Sequence, residues 1–274
     1  MKNNPVKQKL LAGAPVFGTF GWEFLVPGLP QIVKAAGAEF LLVDMEHSAA
    51  NYDMLKAQAA ACRGIGLVPM ARVPANQYTF IARALDAGAM GVMAPMVGSA
   101  EEAEFIVSCT RYPPKGRRGA AFGFGADDYE GGSVAEKIRL ADERTLVICL
   151  IETPDGIKNI DKIAAVPGVD VLWLGHFDLT NFLGIPAQFD HPLYVKAIDK
   201  LVAAARKHNK ILACMTASDE WSKEYWAKGF RLFSAGIDVH LLQSALRASI
   251  GTLNGLAATE TKTDRAITRG AKKK

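Results

Sequence analysis

Short apolar or β-branched runs alternate with segments of helical period along almost the whole chain. The runs are Val16–Gly21, Phe40–Glu46, Val68–Val73, Gly91–Met96, Leu146–Glu152, Val169–Gly175, Ile211–Thr216 and Phe230–Ile237. Continuous apolar runs, rather than alternating ones, are the mark of strands in a parallel sheet covered on both faces. Helix-length stretches separate them at Gly28–Ala36, Tyr52–Arg63, Gln77–Ala87, Ala100–Thr110, Gly156–Ala165, Pro192–His208 and Asp219–Lys228, and Val239–Ile250 follows the last run. Asn51, Asn76, Ser99 and Ser218 stand where helix N-caps belong. Eight strand-then-helix units in about 250 residues predict an α/β fold closed into a single (β/α)8 TIM barrel, with a doubly wound open sheet as the alternative. No linker and no repeat beyond the alternation itself interrupts residues 1–251, the predicted barrel domain.

Composition removes several other classes. With 274 residues, 50% of them apolar and 22% charged, the chain can bury enough surface to fold without covalent staples, which excludes a disordered, collagen-like or disulfide-rich protein. The formal charge of +4 is local: residues 252–274 hold Lys262, Arg265, Arg269, Lys272, Lys273 and Lys274 against Glu260 and Asp264, leaving the barrel neutral overall. A basic, disordered C-terminal tail is therefore expected from Thr252 onward, and no nucleic-acid partner, because such a surface needs its basic stripe on the folded domain. No stretch approaches the roughly 18 apolar residues of a membrane helix, and the polar start is too short for a secretory signal, so a cytoplasmic protein without membrane contact is expected. Cys62, Cys109, Cys149 and Cys214 form no CxxC pair and read as buried thiols.

Long connections in compact domains tend to be functional, and one stands out, Arg111 to Arg144. Its Gly123-Phe124-Gly125 does not join a strand to a helix, so a nucleotide-binding turn is excluded. A flexible lid near the active face is the expectation, a plain surface loop the alternative.

In such a barrel the reacting groups sit at the C-terminal ends of the strands. The second run ends in Asp44-Met45-Glu46-His47, the third delivers Arg72, the fifth Glu152, and Asp178 follows the sixth. Neighbouring strands lie about 4.8 Å apart, so Glu152 and Asp178 can converge, and two like charges that close need a cation or a shared proton. Two carboxylates with water and an oxygen-rich substrate suit Mg2+ or Mn2+; without a second His or any Cys nearby, zinc does not fit. Each carboxylate is equally well read as a cap on the helix beside it. His47 is a candidate general base with Asp44 to orient it, if the strand ends near Met45; the alternative is an ordinary loop histidine. Arg72 either stabilises a developing enolate oxygen or bridges to Asp44, Glu46 or Glu152.

Asp44-Met45-Glu46-His47, Ala71-Arg72-Val73-Pro74, Ala94-Pro95-Met96-Val97, Arg111-Tyr112-Pro113-Pro114 through Arg118-Gly119, Ile151-Glu152-Thr153 and Gly175-His176-Phe177-Asp178-Leu179 occur in that order. Together they resemble the successive motifs of the HpcH/HpaI aldolases, class II pyruvate aldolases that depend on a divalent metal. The resemblance runs from about Phe17 to Ser249 and implies a TIM barrel, commonly a hexamer (a trimer of dimers) whose last helix is exchanged between subunits. By position it implies Glu152 and Asp178 as ligands of Mg2+, Mn2+ or Co2+, Arg72 as enolate stabiliser, His47 with Asp44 as the acid/base pair, and Asp86 as a group approaching a neighbouring subunit's site. Phe20, Trp22, Gly175, His176 and Phe177 would line the substrate pocket. Three positions depart from the family pattern: Leu150 replaces a frequent Gln, and His176-Phe177 replace a Pro and a small residue.

The implied reaction is reversible aldol addition between an aldehyde and pyruvate, or a related 2-oxo acid such as hydroxypyruvate, read backwards as cleavage of a 4-hydroxy-2-oxo acid. A citrate-lyase-like enzyme acting on a CoA thioester is one rival, with Lys115, Arg117 and Arg118 as candidate phosphate contacts. A non-catalytic 2-oxo-acid-binding barrel is the other.

Overall fold

Successive residues of a strand face opposite ways, so in a closed barrel one set fills the interior and the other meets the surrounding helices. The computed structural model of the chain describes residues 1–216 and 218–271, without side-chain detail from residue 260. Its strands are β1 (Val16–Gly21), β2 (Phe40–Asp44), β3 (Val68–Arg72), β4 (Gly91–Ala94), β5 (Leu146–Ile151), β6 (Val171–Leu174), β7 (Ile211–Met215) and β8 (Leu232–Ile237). Each pairs in parallel with the next and β8 returns to β1, which closes the predicted barrel and excludes the open sheet. Phe40, Leu42, Val68, Met70, Leu146, Ile148, Leu150, Val171 and Trp173 fill the interior as one cluster. Residues of the other parity, among them Val43, Ala71, Val92, Val147 and Cys149, form the core beneath the helices. Gly18 keeps the interior packable, since a Cβ there would collide with the backbone and ring of Phe40. All four cysteines are free and buried.

The helices are α1 (Pro5–Leu11), α2 (Leu29–Ala35), α3 (Tyr52–Arg63), α4 (Tyr78–Asp86), α5 (Ala100–Thr110), α6 (Val134–Arg144), α7 (Pro154–Lys158), α8 (Ile160–Ala165), α9 (His176–Phe182), α10 (Pro192–Lys207), α11 (Asp219–Lys228) and α12 (Asp238–Ala271). Asn51, Ser99 and Ser218 cap as expected, accepting from the amides of Met54, Glu102 and Trp221. Asn76 does not: α4 starts after Gln77, and the Asn76 side chain donates instead to the Pro95 carbonyl at 2.7 Å. The single helix expected over Gly156–Ala165 is broken at Asn159, whose side chain donates to the Gly98 carbonyl at 2.7 Å.

α1 was hidden in the polar start of the chain. It plugs the N-terminal mouth of the barrel: Lys7 is buried and its Nζ donates to the Thr145 carbonyl at 2.7 Å and to Asp170 at 2.9 Å, while Asn4 donates to the carbonyls of Met90 and Arg144.

The long connection is not a lid over the C-terminal face. It contains α6 and packs against the opposite end of the barrel, where Asp128 is bonded to Arg63 at the end of α3 and to Arg144 just before β5. Asp127 pairs with Lys137, and Gly125 fits against the carbonyls of Asp86 and Ala87 so closely that a Cβ would clash. Buried ion pairs need several partners brought together, and the charged residues of this segment supply them.

α12 continues as helix past residue 251, where the sequence suggests a tail, through Ala271; Lys272–Lys274 lie outside the described residues. It turns Leu241, Leu242, Leu246, Ile250, Leu253 and Leu256 to the surface, each more than 40% exposed. Beside it the β1–β8 flank is partly bare: Phe17, Phe233 and Trp226 stack around a cavity of about 220 Å³, with Phe17 and Trp226 exposed. Among the described residues no helix is long and apolar enough to cross a membrane.

Candidate active site

Three strands carry their inward parity one step beyond the apolar layers: Phe40 and Leu42 lead to Asp44, Val68 and Met70 to Arg72, Ile148 and Leu150 to Glu152. All three polar residues are buried at the C-terminal mouth. Arg72 donates from Nε to Asp44 Oδ1 at 2.9 Å and from Nη2 to Oδ2, a forked pair, and its Nη1 lies 3.3 Å from Glu46 Oε2. Burial alone would lower the pKa of Arg72, but the hydrogen bond and charge of Asp44, then Glu46 and Glu152, more than reverse it. The guanidinium is thus fixed in place and charged, and its Cζ stands 5.5 Å from the ring of Phe20 and 5.8 Å from that of Trp22.

This arrangement corrects the expected Asp44–His47 pair. β2 ends at Asp44, whose carboxylate is taken by Arg72 and by the backbone amides of Glu46 and His47 at 2.9 and 3.3 Å. The turn swings the His47 ring, half-exposed, toward Glu46, with Nε2 3.8 Å from Oε2. Glu46, anticipated only as a salt-bridge partner of Arg72, therefore joins Arg72 to His47. Burial raises its pKa, opposed by Arg72 and His47 and reinforced by Asp44 and Asp178.

Glu152 leans across the neighbouring strand: a Cβ on Gly175 would strike its carboxylate, so only glycine leaves the space. Its Oε1 accepts the Met96 amide at 2.8 Å, and Met96 holds a left-handed backbone, φ 56°, to make that bond. Strain of this kind is tolerated where surrounding contacts enforce it. Burial pushes the Glu152 pKa up to about 7, Glu46 and Asp178 add to the rise, and the Met96 amide and Arg72 oppose it. Asp178, in the first turn of α9, lines the same cavity. The cavity has a volume of about 140 Å³ and includes Phe20, Trp22, His47, Arg72, Glu152, Gly175, His176, Phe177 and Asp178 in its wall. That is well below the roughly 300–1,000 Å³ of sites for drug-sized ligands and suits a small acid. Leu150, Met93, Trp173 and Met215 make the rest apolar. Burial lowers the His176 pKa to about 4, and Phe177, half in solvent, stands at the rim.

Asp86 is not in this cavity. It sits at the far end of α4 and accepts from Arg118 at 2.8 Å, because a helix following a strand carries its last turn back to the opposite face. Conversely, Asp238 was not anticipated: at the start of α12 its Oδ2 accepts the amides of Trp22, Glu23 and Phe24 at 3.0, 3.0 and 2.8 Å and so sets the loop that carries Trp22. An acidic residue just after an apolar strand was the available signal, the same one that identified Asp178. The basic residues offered for a CoA phosphate are committed elsewhere: Lys115 pairs with Asp142, Arg117 lies over Phe105, and Arg118 is buried between Asp86 and Tyr112.

Glu46, Glu152 and Asp178 are hard oxygen donors; the charges of Glu46 and Asp178 raise the pKa of Glu152, that of Asp178 raises the pKa of Glu46, and Glu46 Oε2, 3.3 Å from Arg72 Nη1, is buried without a hydrogen bond among the described residues. A divalent cation would relieve both conditions. Among the described residues no three His, Cys, Asp or Glu side chains are arranged to hold an ion alone.

Residues 26–245 match the HpcH/HpaI aldolase/citrate lyase family. The hydroxypyruvate/pyruvate aldolase of Delftia acidovorans is 31% identical over 257 residues, 94% of this chain and 95% of that protein. The 5-keto-4-deoxy-D-glucarate aldolase of Escherichia coli K12 is 32% identical over 215 residues, 78% of this chain and 83% of that one. The crystal structure of an HpcH/HpaI aldolase from Desulfitobacterium hafniense superimposes with a TM-score of 0.85 at 31% identity, covering 90% of this chain and 96% of its own. With the barrel, the acidic cavity and these likenesses together, the chain belongs to the HpcH/HpaI aldolase/citrate lyase family and is a carbon–carbon lyase.

Proposed function

We propose that the chain is a class II aldolase that joins pyruvate or a close 2-oxo acid such as hydroxypyruvate to an aldehyde, and cleaves the resulting 4-hydroxy-2-oxo acid. The observation that carries this reading is Glu152, a buried carboxylate raised to about 7 beside Asp178 and Glu46 in a cavity sized for a small acid. The names of the Delftia and Escherichia relatives support it. Glu152 and Asp178 would hold a divalent ion, Mg2+, Mn2+ or Co2+, with Glu46 adding to the negative field. Bound there, such an ion withdraws electrons from the keto oxygen and acidifies the neighbouring methyl group.

The chain's own residues do the rest. Arg72, held rigid by Asp44, places its charge where negative charge develops on the substrate oxygen, and preorganised donors of this kind act without reorganising. Asp44 is a positioning residue. His47 moves the proton to and from the substrate, its Nε2 facing Glu46 Oε2 at 3.8 Å. Phe20, Trp22, Leu150 and Trp173 exclude water from one side of the cavity, while the exposed rim at Phe177 leaves the aldehyde room to approach.

Assembly into a hexamer with α12 exchanged between subunits is part of the proposal. It is supported by the apolar stripe Leu241–Leu256 on α12 and by the open cavity among Phe17, Trp226 and Phe233, a surface and a groove of matching character in one chain.

The test is exchange of pyruvate methyl protons in D2O, with enzyme stripped of metal and then restored with each ion, alongside Glu152→Ala. Exchange should need the ion and vanish in the variant. Metal-independent exchange, or full activity of Glu152→Ala, would reject the mechanism. Absence of all turnover despite binding would leave only a 2-oxo-acid-binding protein.

A further inference from the structure

His176 is buried, 3% exposed, in the wall of the cavity that holds Arg72, Glu152 and Asp178. Among the described residues neither of its ring nitrogens has a hydrogen-bond partner. Three rings pack around it, Phe177 at 4.6 Å, Trp221 at 5.0 Å and Phe189 at 5.8 Å between centroids. A phenyl ring offers no conventional acceptor and an indole N–H only donates, so this cage has no acceptor atom for an imidazole N–H. An imidazole carries at least one N–H in either protonation state, and a buried donor without an acceptor is costly. Phe at this position would fill an aromatic cage without that cost. The cavity side is the direction in which an acceptor can arrive.

The charges of the cavity identify that acceptor. Among the described residues the one buried cation of its wall, Arg72, is already engaged by Asp44 and Glu46, and the carboxyl groups of the wall, Glu152 and Asp178, are acidic. A 2-oxo acid enters with a carboxylate that must find donors on this wall. Among the described residues two buried side-chain donors lining the cavity lack partners, the indole Nε1 of Trp22 and the ring of His176. Trp22 stands by His47 and Arg72. His176 stands beside Gly175 and Asp178, on the side where Glu152 leans over.

We infer that His176 is a substrate-anchoring residue whose ring N–H donates a hydrogen bond to a carboxylate oxygen of the bound 2-oxo acid. The inference rests on the 2-oxo-acid reading proposed above. A contact to the carboxylate is common to every donor substrate, so its loss weakens pyruvate and hydroxypyruvate alike, whereas a contact to the C3 hydroxyl would concern hydroxypyruvate alone.

The experiment compares the wild type, His176→Phe and His176→Gln, all loaded with Mg2+. Pyruvate binding is read by calorimetry, and KM and kcat are measured for both 2-oxo acids. His176→Phe should raise Kd and KM for both by roughly 10- to 100-fold, the weight of a hydrogen bond to a charged group, with kcat little changed. His176→Gln, which keeps an N–H, should recover part of the loss. In wild-type protein with 15N-labelled histidine, pyruvate should shift a ring nitrogen resonance of His176. Unchanged pyruvate affinity in a folded His176→Phe protein would overturn the assignment, as would a loss confined to hydroxypyruvate. A wild-type enzyme that binds no 2-oxo acid would reject the functional reading and this anchor with it; a wild type that binds pyruvate no better than a folded His176→Phe protein rejects only the anchor.

Discussion

Glu152→Gln should make the metal-free protein more stable at alkaline pH while abolishing its lyase activity. Burial first, then the charges of Glu46 and Asp178, hold the folded-state pKa of Glu152 at about 7 against an ordinary 4.5. A difference of about 2.5 units corresponds to about 3 kcal/mol. Because the folded chain holds this proton more tightly than the unfolded chain, the favourable contribution is complete below about pH 4.5 and is lost as pH rises through 7. At pH 8 the folded protein carries a buried, repelled carboxylate. Gln removes that charge at nearly constant volume and keeps an oxygen to accept the Met96 amide, now 2.8 Å away. Denaturant unfolding in EDTA at pH 8, at matched protein concentration, should give the variant about 2–3 kcal/mol more stability, equivalent to roughly 4–12 °C in melting temperature. At pH 4 the two proteins should converge. With metal restored, the variant should catalyse no pyruvate proton exchange. Equal or lower stability of Glu152→Gln at pH 8, or a gain that does not depend on pH, would refute the account of this site as a strained acidic cavity.

Other perturbations separate the roles of neighbouring residues. Arg72→Lys keeps the charge but loses the fork on Asp44, and steady-state assays should show kcat reduced by about 10²–10³. Asp238→Ala frees the amides of residues 22–24; KM should rise more than kcat falls, and a matching loss in both would contradict a purely positioning role. Asp128→Ala strands Arg63 and Arg144 at the opposite end of the barrel, which should cost about 3–5 kcal/mol of stability by denaturant titration and leave kcat intact below the melting range. Burial works against ionisation of Asp128, but Arg144, the Lys2 amide and Arg63 hold its carboxyl below the usual range, so that stability should fade on acidification below about pH 4 in the wild type and not in the variant. Leu242→Glu with Leu246→Glu should dissociate the assembly, read by sedimentation, if α12 packs its apolar stripe on another subunit.

The barrel was legible because its determinants are local. Eight apolar runs of strand length, each followed by a helical period and several by a cap, leave little choice of architecture once parallel strands must be covered on both faces. The same runs pointed to Arg72 and Glu152, since a charged side chain at the end of an apolar strand continues the inward parity, and Asp178 followed from the next turn. What the sequence could not carry was any relation set by distance between separate elements. Asp44 and His47 are three residues apart, yet the turn at the end of β2 commits Asp44 to Arg72 and leaves His47 with Glu46. Which subunit's site Asp86 could approach is likewise a relation in space: within one chain the return path of α4 puts it with Arg118, away from this chain's own cavity. The glycine-rich connection looked like a cover for the site because its length was visible and its partners were not; Arg63, Arg144 and Lys137 draw it to the far face. Periodicity and strand-end chemistry are properties of neighbours in the chain, whereas the pairing of buried charges is a property of neighbours in space. The tertiary structure alone decided which acid holds which base, and so how the cavity is charged.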